Sequence, residues 1–172
     1  MADDTAVRRA LLQMAHDESH ASRPAAALKC ASAALAGGSL LLPVEEARMR
    51  LQMCLWGEQT HLEEQVTLHR RRMFADKTSL ERAAVLLEPV PGWRHFATAC
   101  AVQWRLAAVC DALHAKHGIA GGFVAQATRA LSSGLAFALR AASSAEEAGD
   151  SEALAEAKKW VADFAWAQKM YT

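Results

Sequence analysis

The chain has 172 residues, long enough to bury a core, and 52% of them are apolar, with alanine prominent. Its 19 basic and 19 acidic residues cancel, so no global field draws it toward nucleic acid or an anionic membrane. β-branched residues are not clustered and no period-two alternation persists, which excludes a sheet protein and points to an all-α fold.

The first helix is expected over about 4–17, where Val7, Leu11, Leu12, Met14 and Ala15 form one apolar stripe. The second is expected from Pro24 to Ala36, with Ser22 as its N-cap and Gly37-Gly38 as its stop. A third starts at Pro43, with Val44, Ala47, Leu51 and Leu55 stepping by three or four residues. Gly57 weakens it, and Thr60-His61-Leu62-Glu63 fits a capping box that opens another helix. Thr78-Ser79-Leu80-Glu81 fits a second box, before a short helix that ends ahead of Pro89 and Pro91.

A long helix is expected from Trp93 to His117, stopped by Gly118. Gly121-Gly122 turns the chain into a helix over 123–142, in which Gly134 is a weak spot or a close-packing point. Ser143-Ser144-Ala145-Glu146 resembles a cap, and a last helix spans about 151–171. The total is about seven or eight helices with short connections, which read as antiparallel hairpins in one domain over 1–172. They would form either a compact helical bundle or a stack of the tetratricopeptide (TPR-like α-solenoid) kind.

Catalytic signals are sparse. There is no GxSxG elbow and no glycine-rich phosphate loop, and no carboxylate lies in an apolar setting that would raise its pKa. The densest ligand-type cluster is Cys110, Asp111, His114 and His117. Its i,i+4 and i,i+3 spacings place Cys110, His114 and His117 near one another on a helix, as a zinc site would need. A helix C-terminus that favours partly protonated imidazoles explains the two histidines as well, and Cys110 fits the apolar stripe. His61, Glu64 and His69 lack the spacing of an HExxH helix. Neither a metal nor any other cofactor is expected. The four cysteines lie among apolar neighbours without a CxxC pair and read as buried reduced thiols.

Two features point to a partner. His69-Arg70-Arg71-Arg72 is the one concentrated basic run; it reads as a helix end, or as a contact for an acidic segment or phosphate. Five tryptophans are many for a thin helical stack to hide. Trp160 and Trp166 lie about 120° apart around the last helix, so one face cannot bury both, and one of them is expected as an exposed anchor. The N-terminal segment lacks the basic start and apolar core of a signal peptide, and no apolar run is long enough for a membrane span. A soluble intracellular protein is expected.

The run Glu46–Gln65 resembles the first helical hairpin of the tetratricopeptide subunit of the cohesin loader. The resemblance is carried by Glu46-Ala47-Arg48, Leu51-Gln52, Leu55, Thr60 and Glu64-Gln65, and extends over about 10–143. Members of that family are much longer, so the resemblance implies a shortened or divergent member. It further implies an adaptor that holds an extended or helical segment of a larger subunit in a cohesin-loading complex, in the nucleus; without it the compartment would be the cytoplasm. The residues themselves imply a non-enzymatic helical scaffold for a partner polypeptide, with little direct role for nucleic acid. The alternatives are a small structural subunit embedded in a large assembly, and a helical-bundle enzyme or metal- or ligand-binding protein built on Cys110, His114 and His117.

Overall fold

The computed structural model describes residues 2–36, 38, 41–60, 66–89 and 93–171, with backbone alone at 2–3, 66–70 and 93–94. Seven α-helices and no strand are present among them: α1 (Ala2–His20), α2 (Pro24–Leu35), α3 (Pro43–Gln59), α4 (Val66–Leu87), α5 (Trp93–His117), α6 (Phe123–Glu147) and α7 (Ser151–Lys169). The all-α expectation holds. The chain divides into two compact units, Met1–Ser79 and Leu80–Thr172, with the boundary inside α4 rather than at a linker.

In the first unit α1 packs along α2, and α2 along α3. The core between them is Ala15, Ala27, Ala31, Leu35, Met49 and Trp56. Alanines at the contacts let the helix backbones approach closely, and one large side chain fills what remains. That side chain is Trp56, only 3% exposed, whose indole N–H donates to Ser19 Oγ at 3.1 Å. The hydrogen bond removes the cost of burying a lone N–H. Glu46 is also 3% exposed and accepts from Arg50 at 2.8 Å, while Arg50 donates onward to Ser79 Oγ of α4 at 3.2 Å.

Several caps differ from the sequence reading. Ser22 adopts φ 57° and Arg23 takes the N-cap position of α2 without a side-chain bond, so Ser22 is a turn residue. Thr60 follows the last residue of α3 with its hydroxyl donating to Gly57 O at 2.7 Å, so it closes one helix; His61–Gln65, and with them the rest of that box, lie outside the described residues. Thr78 does not open a helix. α4 runs unbroken through it, and its hydroxyl donates back to Phe74 O at 3.1 Å. Likewise α6 continues through Ser143 and Ser144 to Glu147. The stop there is Gly149 at φ 69°, and the true cap of α7 is Asp150, whose carboxylate accepts from the Ala153 amide at 2.9 Å.

The second unit is organised around α6, which packs against both α5 and α7. Gly118 (φ 68°) ends α5, and a single 3₁₀ turn over Ile119–Gly121 leads to Gly122 and α6. The buried face of α6 repeats every three or four residues through Ala127, Leu131, Gly134, Ala138 and Ala141. Gly134 is the close-packing point. A Cβ there would lie 2.2 Å from the ring of Phe164, which is 0% exposed. On the α5 side the Cys100 thiol faces Gly134 O at 3.9 Å. Phe164 in turn stacks on Trp160, with centroids 5.7 Å apart, and meets Trp104 of α5 edge-on at 5.4 Å.

In an exposed helix Gly→Ala would gain about 1 kcal/mol of helix propensity. Here the added methyl has nowhere to go, and overpacking of about 1–3 kcal/mol opposes it. Gly134→Ala is therefore expected to lower the urea midpoint, and a raised or unchanged midpoint would show that Phe164 yields freely.

Candidate functional site

The helices separate the two candidate tryptophans as their spacing requires. Trp160 lies on the same α7 stripe as Phe164 and is half-buried in the cluster with Trp104, their centroids 6.2 Å apart. Trp166 is displaced by two residues from Phe164, hence to the outer side of α7, and is 63% exposed. Met170, one turn later, is 70% exposed. Two large apolar side chains adjacent on one helix face make a local patch rather than scattered exposure.

Trp166 and Met170 border a cleft of about 380 Å³ between α5 and α7, floored by Leu131 of α6. Trp104 and Tyr171 contribute further aromatic wall, and Asp111 is the one charged residue lining it. This volume falls within the roughly 300–1,000 Å³ typical of ligand-binding clefts. The Tyr171 hydroxyl donates to Asp111 Oδ1 at 3.0 Å. Burial pushes the Tyr171 phenol up to about 12, with the hydrogen bond and negative charge of Asp111 adding to the effect. The phenol therefore stays neutral beside its carboxylate at physiological pH.

The first unit carries a separate groove of about 520 Å³ between α1 and α3. His16, His20, Glu45, Arg48 and Met49 line it, with Trp56 at its base. Glu45 is partly engaged there, its carboxylate accepting from the Leu42 amide at 3.2 Å.

Two side chains of the basic run, Arg71 and Arg72, are described, and they differ. Arg71 is exposed, but Arg72 is half-buried and donates to Thr60 Oγ1 at 2.6 Å and Gly57 O at 3.5 Å. It lies near the beginning of α4, not at its end, and serves the C-terminal carbonyls of α3 instead. The side chains of His69 and Arg70, like His61 and Glu64, fall outside what is described.

Cys110, His114 and His117 are drawn into separate roles. Cys110 is fully buried. His114 Nδ1 lies 3.2 Å from Gly118 O at the helix end, and the His117 ring packs on Phe123 with centroids 6.1 Å apart. Among the described residues no three His, Cys, Asp or Glu side chains come together as a metal set. None of the four cysteines is in a disulfide; Cys30 is half-buried and the others are buried. Burial raises the Cys100 thiol to about 12, and the charge of Glu156 adds to this, which makes it a poor nucleophile. No helix among the described residues is long and apolar enough to cross a membrane.

No family model, curated protein or solved structure matches the chain.

Two outcomes follow from the cleft. Trp166→Ala should change stability by no more than about 0.5 kcal/mol, as at an exposed position. Trp160→Ala should cost about 2 kcal/mol through loss of packing on Phe164 and Trp104; equal losses in urea unfolding would contradict the assigned burial. Tyr171 is the only tyrosine, so absorbance near 295 nm reads it alone. Its ionisation should have a midpoint of about 12. Because the folded value is raised above the ordinary one, its contribution to stability is complete below about pH 10 and is lost as pH rises toward 12. A midpoint near the ordinary value of about 10 would contradict the burial of the phenol together with its contact to Asp111.

Proposed function

We propose that the protein is a non-enzymatic helical scaffold that binds a partner polypeptide, with Trp166 as an anchor of the docking surface. One observation carries the reading: Trp166 and Met170 stand exposed beside an apolar cleft while the neighbouring aromatics are packed inward. Tryptophan is enriched where interfaces concentrate their binding energy, and an anchor of this kind needs an adjoining pocket. The groove between α1 and α3 supports the same reading, since it offers a second concave surface, of mixed polar and apolar lining, on the first unit. A narrower role, as a TPR-like adaptor in a cohesin-loading complex in the nucleus, is supported only by the resemblance centred on residues 46–65. Within that run Glu46 has a packing role, because it is buried against Arg50.

The test is affinity purification of the wild-type chain and of Trp166→Ala, with mass spectrometry. A stoichiometric polypeptide should co-purify with wild type and bind the variant about tenfold more weakly, equal to about 1.4 kcal/mol. Recovery of no such partner, or equal retention by both chains, contradicts the proposal.

A further inference from the structure

We infer that the α5–α7 cleft receives a basic side chain, arginine or lysine, presented by the partner. The inference rests on the docking reading and names the chemistry that the partner brings. The cleft is apolar and aromatic except for one carboxylate, Asp111. Its Oδ1 accepts the Tyr171 O–H, and no described cation forms an ion pair with it. A hydroxyl orients that carboxylate without neutralising it, so the lining keeps a net negative charge. Trp104, Trp166 and Tyr171 add three aromatic rings to the lining, a ring type whose faces attract cations and disfavour acidic groups. The apolar floor at Leu131 and the exposed Met170 suit the aliphatic stem behind a cationic head. An uncharged apolar plug would fill the same space but would gain nothing from the exposed Asp111 carboxylate.

The full chain is titrated with three blocked amino acids, N-acetyl-arginine amide, N-acetyl-lysine amide and the neutral isostere N-acetyl-citrulline amide. Binding is read from the indole N–H signals of Trp104 and Trp166 in nitrogen-correlated NMR spectra. The two cationic probes should shift both signals at millimolar concentration, and citrulline should bind about fivefold more weakly. Asp111→Asn preserves shape and should lose a similar factor for the cations with no change for citrulline. Trp166→Phe keeps an aromatic ring and should retain most of the binding. Equal binding of citrulline, indifference to Asp111→Asn, or no shift with any probe overturns the inference. If the probes fail while the wild-type chain still captures a partner through Trp166, the cation chemistry falls and the docking reading stands. If the probes bind in an Asp111-dependent way and no partner is captured, the docking reading falls alone.

Discussion

The close approach of Phe164 to Gly134 decides the arrangement of the second unit. Only a residue without a Cβ lets the ring lie against the α6 backbone, and with the ring in place the rotation of α7 about its axis is set. Trp160, one turn earlier, is then directed into the contact with Trp104, and Trp166, two residues later, is directed away from it. The exposure of Trp166 is thus a consequence of a buried contact elsewhere on the same helix. A rotation of α7 large enough to hide Trp166 would have to pull Phe164 out of its fully buried position, which costs about as much as exposing a large aromatic, roughly 2–3 kcal/mol.

The same geometry makes the cleft. α5 and α7 both pack on α6 and are linked to each other mainly by the Trp104–Trp160–Phe164 cluster and the Tyr171–Asp111 bond. Between those two ties the helices stand apart, and alanines at positions 107, 108 and 167 leave room for the space bordered by Trp166. A chain that used leucine at those positions would fill the gap. Small residues therefore serve two ends: tight helix contact on the buried face of α6, and room for a cleft between α5 and α7.

Much of the helical outline is legible from residues whose physics admits one reading. Gly118 at positive φ ends α5 where its glycine predicts, and the spacing of Trp160 and Trp166 already implies that their burial differs. Hydroxyl residues mislead because they bond equally well in two settings. Ser22, Thr78 and the pair Ser143-Ser144 all resemble N-caps, yet Thr78 donates back to Phe74 O inside a continuous helix, and the serines of α6 lie within one. The residue that does cap α7 is Asp150, and its place between Gly149 and Ser151-Glu152 is the sequence signal for it. The functional surface was legible only in part. Asp111 drew attention as a neighbour of Cys110 and His114, but its partner is Tyr171, sixty positions away, and no local pattern joins them. Trp56 is core, 3% exposed, and its hydrogen bond to Ser19, thirty-seven positions away, is likewise invisible to any local pattern.

The central claim is that a partner polypeptide meets the outer face of α7 at Trp166. The most direct measurement places a photoreactive phenylalanine at position 166 and, as a control, at exposed position 139 on α6, with illumination in cells that express the full chain. The account predicts one discrete adduct with a single polypeptide from position 166 and none from position 139. No adduct at 166, or the same adduct from both positions, would contradict it.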